Sequence, residues 1–193
     1  MFNKLLIIFL FNFIIIFSKN NMESKIISIV LLQEGDKVFK SKRELSKYGI
    51  RENTLKEYNE KYKTNYQIET LTKKDATNIS AALVKKYRVN EIKDNYFKLI
   101  IFDTIFNTGY SSGSVILQKS LNRYYRTNLK VDGIMGTQTI NSLNRVKDSE
   151  RFVQIFLNER LKYYKSLKEW EIYKKGWTKR VDDLKNKKLS KKN

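Results

Sequence analysis

The sequence contains no cysteine, no histidine and no proline. Without Cys or His, thiol catalysis, a Cys/His zinc site and a Ser-His-Asp triad are excluded. A disulfide framework is excluded as well, although export does not require one. Acid–base chemistry near neutral pH therefore falls to carboxylates, Tyr or Lys in environments that shift their pKa values. No internal repeat is visible, and strand-type alternation is nearly absent. The missing proline, with an abundance of Lys, Asn and Ile, is what an AT-rich genome produces.

Acidic residues are outnumbered: 20 Asp and Glu face 39 Lys and Arg, for a formal net charge of +19. Genomic bias explains part of that charge. The rest favours a polyanionic partner, whether nucleic acid, anionic lipid or anionic cell-wall polymer. Hydrophobic residues are 41% of 193, enough for a core in one compact domain or two small lobes.

Residues Met1–Ser18 carry one Lys and then an apolar run from Leu5 to Phe17, broken only by Asn12. The run is shorter than the ~20 apolar residues of a membrane-spanning helix. It fits the apolar core of a secretory signal peptide, with Ser18 as the small residue before cleavage. An uncleaved anchor, or a start at Met22, are the other readings. An exported protein does not meet the chromosome, and no nucleic-acid-binding motif appears, so nucleic acid is not an expected partner.

The remainder reads as mainly helical. Ile26, Ile27, Val30 and Leu31 have helical spacing over Glu23–Glu34. Arg51–Tyr62 is a weaker helix with Leu55 and Tyr58. Thr72-Lys73-Lys74-Asp75 resembles a capping box and opens a helix through Ala81, Leu83, Val84 and Tyr87. Tyr96–Asn107 is apolar on most sides, as in a central helix, and Gly109 ends it. Further helices are expected over Ser111–Tyr125, from a Thr137 cap through Leu143, and over Glu150–Leu167. Asp132-Gly133 and Gly136 mark a loop. A short hairpin fits between Val38 and Ile50, and Lys185 to Asn193 reads as a disordered basic tail.

Glu34 lies three, four and seven residues after Leu31, Val30 and Ile27, so it shares their face of the helix. An acid there faces the core or a cleft floor, where burial disfavours a carboxyl's charged form. A carboxyl that stays protonated near neutral pH is what glycoside hydrolysis needs, because the leaving-group oxygen is protonated as the bond breaks. The plainer reading is a helix-end acid turned to solvent.

Glu34-Gly35, followed after a polar stretch by Ser46-Lys47-Tyr48-Gly49-Ile50, resembles the opening of the family 108 glycoside hydrolases, lysozyme-like muramidases of bacteria and phages. Phe102-Asp103, Asn107-Thr108-Gly109, Leu117-Gln118, Val131 to Gly136 with Thr139, and Arg160, Tyr164 and Lys175 to Val181 are similar to the type 3 peptidoglycan-binding region that accompanies that family. The resemblance implies a lysozyme-like helical fold of two lobes around a cleft, with Glu34 as the catalytic acid. It also implies a catalytic lobe over residues 23–93 and a peptidoglycan-binding lobe over residues 95–184. The reaction implied is cleavage of the β-1,4 bond between N-acetylmuramic acid and N-acetylglucosamine, without a cofactor or metal.

The chain departs from that pattern in places. Asp36 replaces a second Gly, the stretch from Lys37 to Leu45 lacks the family's Asn-Asp-Pro and Asp-Pro-Gly-Gly elements, and Ser46 stands for Thr. Glu44 and Asp36 are then the candidates for a second acid, and the Ser46 hydroxyl is a candidate for orienting a water. Tyr87 is followed by Arg88 where the family often has Trp. Tyr48, Asp103, Asn107 and Trp177 are the candidate substrate contacts. Asp103 and Asn107 also read as a structural pair bonded to backbone groups. A relative that binds peptidoglycan without cutting it is the alternative function. Peptidoglycan strands are the expected partner of a monomer, with anionic wall polymers or a membrane surface as further partners.

Overall fold

The computed structural model describes residues 21–40 and 44–187. The expected leader, residues 41–43 and the end of the basic tail lie outside the described residues. Among those described, eight α-helices and one three-stranded antiparallel sheet make up the fold, which is mainly α as the sequence implies. The chain divides between Lys85 and Lys86 into two compact units. No described helix is long and apolar enough to cross a membrane.

In the first unit, residues 21–34 form helix α1. Its predicted stripe is the buried face: Ile26, Ile27, Val30 and Leu31 expose no more than 2% of their surface. Gly35 ends the helix in the left-handed region (φ 76°), and its N–H donates to the Leu31 carbonyl at 3.2 Å.

Strands β1 (Phe39–Lys40), β2 (Leu45–Lys47) and β3 (Ile50–Arg51) follow in the order β1-β2-β3. Ser46 sits opposite Phe39 on one side and Arg51 on the other. The expected hairpin is therefore a three-stranded meander. Its second turn consists of Tyr48 (φ 54°) and Gly49 (φ 72°), and positive φ at both positions is what a type I′ turn requires.

Helix α2 (Glu52–Tyr62) is tied to the sheet where the Leu45 N–H donates to the Glu52 carboxylate at 2.9 Å. Helix α3 (Lys73–Lys86) opens with the predicted capping box. The Thr72 N–H donates to Asp75 at 2.9 Å, and the Asp75 N–H donates back to the Thr72 hydroxyl at 3.2 Å.

The second unit is built on α4 (Asn95–Thr108), in which every residue from Phe97 to Ile105 is buried. Asp94 caps it by accepting from the Phe97 N–H at 2.8 Å. Helix α5 (Tyr110–Tyr125) packs on α4, α6 (Thr137–Asn144) and α7 (Ser149–Lys165), and α8 (Trp170–Asn186) packs on α7. The approach of α5 to α4 is close at Gly113, where a Cβ would lie 2.9 Å from the Ile105 Cα.

Two expectations change here. Thr137 is not the cap of α6 but its first residue: Gly136 occupies the cap position, and the Thr137 hydroxyl accepts from the Arg88 guanidinium at 3.3 Å. Lys185 belongs to α8 rather than to a tail, because Leu184 is fully buried and holds the last turn in place.

Candidate functional site

In the first unit the candidates cluster in sequence around the end of α1 and the sheet. Glu34 is the last residue of α1 and is half-buried, with its Oε1 atom shielded from solvent. The neighbouring Gln33 has both amide atoms shielded and without a hydrogen-bond partner among the described residues, an uncommon state for buried polar atoms. Asp36, just past the Gly35 turn, is exposed. Glu44 sits at the entry to β2, with its Oε1 3.6 Å from the Arg51 Nε. Ser46 is fixed in the central strand, and Tyr48 is in the turn that follows, its ring 5.8 Å from the Lys47 ammonium. The sheet thus brings Glu44, Ser46 and Arg51 together. Among the described residues, no group of acidic side chains is placed to hold a metal ion.

In the second unit, Asp103, Asn107 and Trp177 are joined in one network. Asp103 is fully buried and accepts from the Arg160 Nη1 at 2.7 Å. Arg180 donates to both carboxylate oxygens, at 3.0 and 2.8 Å. Arg160 also donates through Nη1 to the Thr104 hydroxyl at 3.0 Å and through Nε to the Tyr164 hydroxyl at 2.9 Å. Tyr164 donates to the Asn107 side-chain oxygen at 2.6 Å, and its ring stacks on Trp177 at 4.8 Å.

The pair Asp103/Asn107 on α4 therefore meets the pair Arg160/Tyr164 on α7, each with a spacing of four residues that puts both members on one helix face. This corrects the expectation of backbone partners: both members bond side chains. Asp103, enclosed by two guanidiniums, presents no surface to a sugar. Burial alone would raise the Asp103 pKa, but the charges of Arg160 and Arg180, with their hydrogen bonds, hold it below the usual carboxylate range. Burial pushes the Tyr164 hydroxyl up.

Gln118 was legible only as part of the family pattern; here it clamps the loop after α5. Its amide nitrogen donates to Asp132 at 2.8 Å and to the Ile134 carbonyl at 2.9 Å, and its oxygen accepts from the Gly133 N–H at 2.9 Å. Asp132 accepts from the Ile134 N–H at 3.0 Å, so Asp132-Gly133 forms a turn, as its residue types suggest. Tyr87, which the sequence leaves without an adjacent Trp, stacks on Tyr110 at 4.6 Å, while Arg88 pairs with Glu91 at 2.6 Å.

Residues 112–182 match a protein-family model described as a predicted peptidoglycan domain. A solved structure of SagA from Brucella abortus matches with a TM-score of 0.68 at 20% identity, over 86% of this chain and 92% of that one. The chain therefore has a fold like that of SagA. A search of curated proteins found no match.

Proposed function

We propose that the chain is a peptidoglycan hydrolase, an N-acetylmuramidase that cleaves the β-1,4 bond between N-acetylmuramic acid and N-acetylglucosamine. The observation that carries this reading is the position of Glu34. It closes a helix whose apolar stripe is buried, one of its carboxylate oxygens is shielded, and the Gly35 turn leads directly into the sheet. In this reading Glu34 protonates the glycosidic oxygen as an oxocarbenium-like transition state forms. Ser46 or a second carboxylate serves the attacking water. Residues 23–93 carry catalysis, and residues 95–184 bind peptidoglycan. The match of residues 112–182 to a predicted peptidoglycan domain and the SagA-like fold support a protein that acts on peptidoglycan. The apolar leader delivers it to the envelope or beyond.

A second reading has an observation of its own. Glu44, a candidate second acid, is engaged by Arg51, and Asp36 is exposed in the connection after α1. A chain that binds peptidoglycan without cutting it would show this arrangement too. Clearing of a cell-wall suspension by wild type and Glu34→Gln separates the two readings. Clearing by wild type alone, with muramic acid at the new reducing ends, supports the muramidase. Equal failure of both, while both sediment with sacculi, leaves only the binder.

A further inference from the structure

Helix α8 carries a groove that the proposed chemistry does not use. It is open, about 500 Å³ in volume, and lined by Trp170, Lys174, Lys175, Thr178, Lys179 and Asp182. The spacing explains the groove. Trp170, Lys174, Thr178 and Asp182 recur every four residues, and Lys175 and Lys179 form the adjacent row, so all six share one helix face.

The aromatic end of the groove is anchored from within. Trp170 stacks on Trp177 at 6.3 Å, Trp177 stacks on buried Tyr164, and Tyr164 is bonded to Arg160. Lys165 adds a cation 6.0 Å from the Trp170 ring. A half-buried ring held in this way offers a preorganised apolar face with little rotamer entropy to lose.

The polar end is cationic. Lys174 reaches Glu171 and Lys179 reaches Asp183, each at 2.6 Å, but these are solvent-exposed pairs of the kind that contribute little and exchange readily. Lys175 has no ion pair among the described residues. Three lysines against Asp182 leave the lining positive.

We propose that this groove is a binding site for the muramyl-peptide units of peptidoglycan. A pyranose ring lies against Trp170, the stem-peptide carboxylates meet Lys174, Lys175 and Lys179, and Thr178 supplies a hydroxyl between them. The occupant follows from chemistry: an apolar ring face beside a cationic row matches a sugar that carries a peptide acid. The groove also lies within the residues that match the peptidoglycan domain. The inference rests on the reading that the chain acts on peptidoglycan, and it adds the surface and the group that is recognised.

The test is sedimentation with purified sacculi in the Glu34→Gln full-length chain, so that the wall stays uncut. Intact sacculi are compared with sacculi stripped of stem peptides by an amidase. Tighter binding to intact sacculi, weakened about tenfold by Lys174→Gln/Lys175→Gln/Lys179→Gln, is the expected result, a loss of about 1.4 kcal/mol. Lys175→Glu alone disturbs no ion pair among the described residues and gives a partial loss. A control, Lys56→Gln/Lys73→Gln/Lys85→Gln, removes the same charge from exposed positions outside residues 95–184 and leaves binding as it was. If the control weakens binding as much as the groove variant, or if the groove variant binds as the parent does, the groove is overturned while peptidoglycan binding stands. Failure of the parent chain to sediment with either preparation overturns both.

Discussion

Arg160 donates to Asp103 across 2.7 Å at a place where neither side chain has any exposure to solvent. Such a pair is costly to assemble and worse to break, because removing one member leaves an uncompensated buried charge. Arg180 closes the other side of the carboxylate, so α4, α7 and α8 converge on a single acid. The network is the joint of the second unit. It also fixes Tyr164, against which Trp177 and then Trp170 are stacked.

Asp103→Asn is therefore expected to destabilise the protein by about 3–5 kcal/mol, the range for breaking a buried pair. Urea unfolding monitored by tryptophan fluorescence reads this directly, since Trp177 rests on the network. A loss below about 1 kcal/mol would mean that the pair behaves like an exposed one.

The same acid sets a pH dependence. The Asp103, Asp75, Glu91 and Glu159 carboxyls are all held below their ordinary range in the folded state. A depressed folded pKa contributes stability that is fully present above the unfolded value, about pH 4 for a carboxylate, and is lost as pH falls through the folded value. Stability should thus be level from neutral pH down to about 4 and fall below it. Asp103→Asn should make that acid limb shallower. Melting temperatures across the acid range for both proteins check the sign; an unchanged limb would assign the acid sensitivity to the other carboxyls.

Gly113 tests the α4–α5 crossing. A Cβ at this position would lie 2.7 Å from the Ile105 Cγ1 and 2.9 Å from its Cα, and backbone cannot turn aside as a side-chain tip can. Gly113→Ala relieves helix entropy but forces the helices apart, for a net loss of about 1–3 kcal/mol. Chemical denaturation of the variant measures it, and a gain in stability would show that the crossing has slack.

Much of this architecture was legible because it is local. The stripe of α1, the Thr72–Asp75 box and the Gly109 stop are each written within a few residues, and the structure uses each of them. The sheet was only half legible: strands of two or three residues are too short to show alternation, and the Tyr48-Gly49 turn looks like a loop until its φ values are known. Glu34 could be singled out because helical phase ties it to Leu31 and Val30. The partners of Asp103 could not, since they lie 57 and 77 residues away and no periodicity spans that distance. The signal that existed was the matched spacing of Asp103/Asn107 and Arg160/Tyr164.

Tyr48 combines strain with a candidate role. A non-glycine residue in the left-handed region costs about 1–2 kcal/mol, and Asn tolerates that region better. Tyr48→Asn should therefore raise stability by up to about 1 kcal/mol. If the ring also meets the substrate, as the sequence suggests, clearing of cell walls should slow in the same variant. Melting and clearing measured together settle it: a more stable protein of unchanged activity would reduce Tyr48 to a turn residue.

The last prediction concerns which group serves the water under the proposal that Glu34 is the proton donor. Glu44 is engaged by Arg51 at 3.6 Å, and its side chain is 24% exposed against 50% for Arg51. Such a pair contributes about 1 kcal/mol at most, so Glu44→Gln should leave folding intact. Ser46 is fixed between Phe39 and Arg51 in the central strand, which makes it the better-positioned polar group on the sheet. Ser46→Ala should then slow turnover by about a hundredfold, the low end of what a positioned acid–base partner supplies, while Glu44→Gln stays within about twofold of wild type. Initial clearing rates at equal folded concentration, set by circular dichroism, provide the comparison. The opposite ranking would give the second role to Glu44 and return Ser46 to the sheet.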